Sequence, residues 1–167
     1  MFRRVSDFQK AWSQERDSTL RVLSVLTDAS LSQAVTKADR TLGRMAWHLA
    51  TTLGEMIERT GLRLPGPVHD APVPPAAAAI VEAYERASKA VGDEVTTKWR
   101  DADLEVEDEM YGEKWARGLT LQALVVHQAH HRGQMTVLMR QAGLRVPGVY
   151  GPAREEWSSF GMPAPAV

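Results

Sequence analysis

The sequence predicts an all-α protein: a four-helix bundle with one long crossing connection and a short C-terminal helix. Three observations carry that expectation. Apolar residues recur at the three-and-four spacing of an α-helix in four separate segments. Those segments are punctuated by glycine and proline. No stretch alternates apolar and polar residues in the manner of a half-buried strand, so long helices packed side by side are the natural architecture. The 167 residues suffice for one domain with a proper core, and residues 1–167 read as that single unit.

Helix one is expected over residues 6–26. Ser6-Asp-Phe-Gln9 matches a Ser-x-x-Gln capping box, and Phe8, Trp12, Val22, Leu23 and Leu26 then recur at helical spacing. A polar break at residues 28–32 and an aperiodic, loop-like stretch at residues 33–40 follow. Thr41 is a good N-cap for helix two and Gly61 a good stop. Between them Leu42, Met45, Ala46, Leu49, Leu53, Met56 and Ile57 form a stripe with His48 at its edge. Gly43 and Gly54 each weaken the helix by about 1 kcal/mol, which is tolerable if they allow close packing. Five prolines between Pro65 and Pro75 rule out a regular element there. Helix three is expected to start near Pro75, with Ile80, Ala83, Tyr84, Ala87, Val91 and Val95 on one face. Residues 101–117 are acidic and lack a period, so they read as a long connection that covers or serves a site. Helix four is expected from Thr120, as its cap, to Ala142 and Gly143, and a short helix around residues 153–160.

Composition narrows the function. The net charge is −1 with no Lys/Arg block on one element, which argues against nucleic acid or an anionic membrane as partner. The absence of cysteine excludes disulfides and thiolate metal sites. No apolar run has membrane-spanning length and Met1-Phe-Arg-Arg is followed by polar residues, so the expectation is a cytoplasmic protein.

The chemistry concentrates in helix four, which holds three of the five histidines. Residues four apart on a helix lie about 40° from each other, so His127 and His131 project side by side and could share one ion. His130 is turned about 100° away from His131. His48 is the candidate for a third nitrogen. An ordinary pair of hydrogen-bonded histidines is the alternative, but the pair shares its flank with Leu124, Met135 and Leu138, where an unpaired ring is costly. Gly133, in mid-helix, suggests that something needs the room. Gln134 either contacts the edge of the site or makes an interhelix hydrogen bond. Arg132 either meets an acidic substrate group or bridges to another helix. His69, in the proline-rich segment, is a surface residue unless that loop folds over the site.

His127-x-x-x-His131-Arg132-Gly133-Gln134, with Thr41-Leu-Gly-x-x-x-x-His48-Leu upstream and the tail Pro147-Gly-Val-Tyr-Gly-Pro-Ala-Arg-Glu-Glu-Trp157, resembles the DinB/YfiT superfamily of helical metal-binding proteins. The likeness covers helix two and residues 119–162. It implies a divalent metal ion, nickel or zinc, held by His48, His127 and His131, and neutral imidazoles suit both metals. Some family members transfer low-molecular-weight thiols and others isomerise or hydrolyse small molecules. The resemblance therefore implies a metal-dependent transferase or hydrolase that activates a small thiol or water. The competing expectation is a non-catalytic stress-response or structural module whose ion secures the helices.

Around the ligands, Gln134, His130 and Arg132 are candidate neighbours. The connection at residues 101–117 is expected to wall the pocket with Met110, Tyr111 and Trp115. No general base is legible, since Glu55 and Glu58 lie a turn or more from His48. A homodimer is expected through helix faces carrying Trp12, Val22 or Met139. Metal binding is expected to weaken as pH falls through the imidazole range near ~6.5.

Overall fold

Four α-helices carry most of the chain in the computed structural model, which describes residues 1–166: α1 (Val5–Leu23), α2 (Leu42–Glu58), α3 (Ala77–Lys98) and α4 (Arg117–Gln141). α1 packs on α3 and α4, and α2 packs on the same two, so α1 and α2 face each other across the bundle. The core they enclose includes Phe8, Leu23, Leu49, Leu53, Ile57, Tyr84, Leu121 and Leu124, all withdrawn from solvent. α2 and α4 run antiparallel: Arg117, at the start of α4, donates to the Thr60 carbonyl just beyond α2, at 3.2 Å.

The helix ends are finished partly by their own sequence and partly by distant residues. Thr41 caps α2, its Oγ1 accepting from the Arg44 N–H at 3.1 Å. Gly61 and Gly143 take positive φ, 84° and 73°, just past α2 and α4, where a side chain would be strained. The Ser6 capping box is not used. α1 begins earlier, at Val5, because the Val5 N–H is taken by Asp101 Oδ1 at 2.8 Å. α3 is likewise served by Asp28, whose Oδ1 accepts from the Ala77 N–H at 2.7 Å. Thr120 does not cap α4 either: the helix starts at Arg117 and Thr120 is buried within it. The Phe2 N–H donates to the Gly118 carbonyl at 3.1 Å, and a Cβ on Gly118 would lie 2.1 Å from the Phe2 oxygen, so only glycine admits the N-terminal segment here.

The connection between α3 and α4 corrects the all-helical expectation. After a 3₁₀ turn (Asp101–Glu105), it forms a hairpin of β1 (Glu107–Met110) and β2 (Glu113–Ala116), paired antiparallel with Met110 opposite Glu113. Tyr111 and Gly112 make the two-residue turn, both with positive φ (54° and 85°), which is the geometry that suits the twist of a tight hairpin. Met110 faces the core and is fully buried, while Asp108 pairs with Arg117 at 2.9 Å. Short strands of Glu, Asp and Lys carry little β-propensity, so their sequence conceals them. The break after α1 is also a 3₁₀ turn (Asp28–Ser32), closed reciprocally by Thr27 and Ser30. Leu31 of this turn lies against Gly43, where a Cβ would stand 3.0 Å from the Leu31 Cβ, so the close packing expected of that glycine is real. Gly54 has only ordinary contacts. The C-terminal helix is a shorter 3₁₀ turn, Trp157–Phe160. Trp12, Val22 and Met139 are all core residues, buried inside one chain, and cannot supply the dimer face expected of them.

Candidate metal centre

The buried stripe of α4 runs Leu121, Leu124, Gln128, His131, Met135, Leu138, at alternating intervals of three and four. His131 thus occupies a core-facing position, and His127, one turn earlier, stands beside it. From the facing helix, His48 leans in from the edge of the α2 stripe. Its carbonyl accepts the Thr52 hydroxyl at 2.8 Å. The Nε2 atoms of all three rings converge: His48 to His127 is 3.2 Å and His131 to His127 is 3.1 Å. The ring centroids lie 4.4–5.0 Å apart.

These distances fit one ion better than they fit hydrogen bonding among the rings. Three nitrogens each about 2.0–2.1 Å from a common cation, at angles between octahedral and tetrahedral, stand about 2.9–3.4 Å from one another. A hydrogen-bonded triad is harder to satisfy, because one Nε2–H on His127 cannot serve both neighbours. His131 Nδ1 lies 2.7 Å from Gln134 Oε1, which can only accept, so the proton sits on Nδ1 and the Nε2 lone pair is free. Burial keeps the cluster uncharged. It is the main reason His48 is pushed down to about 3 and His127 to about 4, with the charges of neighbouring histidines and Arg40 adding to it. His131 is lowered as well, by burial first, although the Gln134 bond works the other way. The buried Nδ1 of His127 has no hydrogen-bond partner. The three histidines could therefore bind a metal ion together.

The other candidates divide. Gln134 does contact the site, as described. His130 is exposed, its ring stacked edge-on 4.9 Å from His131 but outside the cluster. Arg132 belongs elsewhere: it is only 2% exposed, and its guanidinium turns to α1, pairing with Glu15 and donating to Thr19 Oγ1 at 2.8 Å and to Tyr150 at 2.6 Å. Adjacent residues on a helix diverge by about 100°, which carries Arg132 away from the face of His131. Tyr111 sits at the far end of α2, its hydroxyl donating to Glu55 Oε1 at 3.0 Å with Arg59 over its ring. Trp115 stands beside it and donates to Glu113. Glu55 is two turns from His48, about 10 Å along the helix, so Tyr111 and Trp115 do not wall the three-histidine site as expected, and Met110 is turned into the core. His69 pairs with Glu55 at 3.3 Å and is not one of the converging rings. Gly133 has open space around it, so nothing there needs the room.

An open cavity of about 580 Å³ reaches His131 from the opposite side, lined by Val35, Asp39, Arg40, Met45, His131, Gln134, Val137 and Leu138. Its outer wall is the loop at residues 33–40, which sequence reasoning passed over as aperiodic. The one available signal was a cation, Arg40, directly ahead of the cap of the helix that carries His48.

A four-helix bundle with three histidines gathered from two antiparallel helices defines a class of helical protein with a candidate metal site. The chain belongs to the DinB family, whose model matches residues 1–164. It is 46% identical over 167 residues to YrdA of Bacillus subtilis (strain 168), a protein described as uncharacterized, with both chains covered completely. Among solved structures it is similar to a DinB-like protein from Bacillus cereus ATCC 10987, with 43% identity and a TM-score of 0.87, covering 90% of this chain and all of the other. A second DinB-like protein, YjoA of Bacillus subtilis, shares 13% identity at a TM-score of 0.65, over 86% of this chain and 97% of its own, and shows the fold alone. No helix is long and apolar enough to cross a membrane among the described residues.

Proposed function

We propose that His48, His127 and His131 hold a divalent cation, nickel or zinc, and that the protein is a metal-dependent transferase or hydrolase acting on a small molecule. The observation that carries this reading is the convergence of three Nε2 atoms beside a cavity that opens onto one of the ligands. Held by three neutral imidazoles, such an ion would keep its full charge and would lower the pKa of a bound water or thiol, the chemistry that yields a nucleophile near neutral pH. The chain's own residues prepare the site. Gln134 fixes the tautomer and orientation of His131, and burial keeps His48 and His127 unprotonated. α2 and α4 supply the three rings, and Met45 and Leu138 give the adjoining cavity an apolar wall. A low-molecular-weight thiol is the natural co-substrate, as family resemblance implies.

The competing reading is an ion that merely pins α2 to α4. It explains the ligand set but gives no role to an open cavity of about 580 Å³ ending on His131. Elemental analysis followed by cobalt substitution separates the two. The expected result is about one ion per chain, a sulfur-to-cobalt charge-transfer band on adding thiol, and turnover of an electrophile or ester above the His131→Ala background. Metal uptake with neither band nor turnover would leave the structural reading standing.

A further inference from the structure

We propose that the cavity beside His131 selects a small molecule with an apolar body and a terminal carboxylate, and that Arg40 is the residue that recognises the carboxylate. The inference rests on the functional reading above, since the reactive end of such a molecule would lie at the three histidines.

Four side chains make the cavity apolar: Val35, Met45, Val137 and Leu138. Val35 and Val137 are 62% and 56% exposed, so apolar surface stands uncovered on both sides of the opening. The polar groups differ in what they have left to offer. Gln134 Oε1 is committed to His131. Asp39 accepts from the Thr36 N–H and hydroxyl at 3.1 and 2.8 Å. Arg40 makes no ion pair and no hydrogen bond among the described residues. A free guanidinium thus stands at the edge of a largely apolar cavity that also reaches His131.

That arrangement specifies a ligand. Its middle must be apolar, because an uncompensated polar group against Met45 and Leu138 is unfavourable. Its outer end must be anionic to use Arg40, whose planar fork matches a carboxylate in two parallel hydrogen bonds. A cavity of about 580 Å³ takes a molecule well below the upper limit of small-ligand sites.

The test has two arms, each run on wild type, Arg40→Gln and Arg40→Lys. Arg40 is exposed, so neither substitution disturbs the core. In the first arm, the zinc-loaded protein is titrated with hexanoate and with hexanol while the Met45 methyl resonance is followed. Hexanoate should bind at least about fivefold more tightly than hexanol, and the preference should shrink at high salt. The preference should vanish in Arg40→Gln and survive in part in Arg40→Lys. Equal affinity in the wild type, or a preference untouched by Arg40→Gln, overturns the proposal; the second result would mean that the carboxylate binds the metal instead. In the second arm, the cobalt-loaded protein is titrated with mercaptohexanoate and mercaptohexanol. A carboxylate preference in the first arm with no charge-transfer band in the second sinks thiol activation and leaves the Arg40 inference intact. Bands of equal half-saturation from both thiols would overturn the Arg40 inference and leave thiol activation intact.

Discussion

Replacing Arg132 by methionine should destabilise the protein by about 3–5 kcal/mol, the range for removing one partner of a buried ion pair. Arg132 is 2% exposed and its partner Glu15 is 6% exposed, so water cannot take over the lost contacts. The guanidinium donates to the Glu15 carboxylate, to the Glu15 carbonyl at 3.2 Å, to Thr19 Oγ1 at 2.8 Å and to the Tyr150 hydroxyl at 2.6 Å. Without it the carboxylate retains only the Tyr150 hydroxyl, whose oxygen lies 2.8 and 2.9 Å from the two carboxylate oxygens and which has one proton to donate. Methionine matches the length of the arginine stem, so the expected loss is electrostatic rather than a cavity effect. Urea unfolding of the metal-free protein at neutral pH measures it as a lower midpoint with an unchanged slope. In a chain of this size the same loss lowers Tm by roughly 6–20 °C. Glu15→Leu combined with Arg132→Met should recover most of the stability, because an apolar pair removes the stranded charge. A single-substitution loss below about 1.5 kcal/mol, or a double variant no better than the single one, would refute the buried-pair account. Metal content should be unchanged in the folded Arg132→Met protein, since the guanidinium points away from the histidines.

Changing Gln134 to leucine removes the acceptor of the His131 Nδ1 proton and should weaken metal binding about 10–100-fold, read by competition with a chromophoric chelator. Alanine at His48, His127 or His131 should abolish stoichiometric binding, whereas His130→Ala and His69→Ala should leave it intact, as elemental analysis will report. His48 and His127 lie at about 3 and about 4 when folded, below the ~6.5 of a free imidazole, so on acidification the unfolded chain takes up protons first. The metal-free protein should therefore keep its full stability above pH ~6.5 and lose it progressively down to the folded values, as denaturation across a pH series will measure. By the same lowering, protons compete poorly for the ligands, and metal should stay bound at a pH of about 5.5, below the window expected from free imidazole; release near pH ~6.5 on dialysis would contradict this. Gly133→Ala should stabilise the helix by about 0.5–1 kcal/mol, because its Cβ would meet open space. Gly118→Ala should destabilise, since its Cβ would run into the Phe2 carbonyl, and thermal melts of the two variants should move in opposite directions.

What the sequence determined by itself is what depends on near neighbours along the chain. The stripes of α2 to α4, the Thr41 cap and the Gly61 and Gly143 stops follow from helical periodicity and backbone freedom and are found in place, whereas α1 ends at Leu23 and leaves the expected Leu26 beyond it. The side-by-side projection of His127 and His131 is likewise a property of any helix. His48 was legible only as a candidate and through family resemblance, because it comes from 79 residues away and only packing of α2 on α4 brings it within 3.2 Å. Contacts of that range decided everything the sequence left open. Asp101 and Asp28 finish helices distant from them in sequence, which is why local capping signals misplaced the start of α1. The hairpin of residues 107–116 forms because Met110 finds the core and Asp108 finds Arg117, although neither strand has a composition that favours it. Arg132 was equally suited to a substrate or to a helix partner until α1 supplied Glu15. The cavity with Arg40 at its edge exists only where a loop without periodicity folds back against α4. Periodicity reports which face of a helix is buried, whereas the partner that buries it, and the space left between them, are set only when the whole bundle closes.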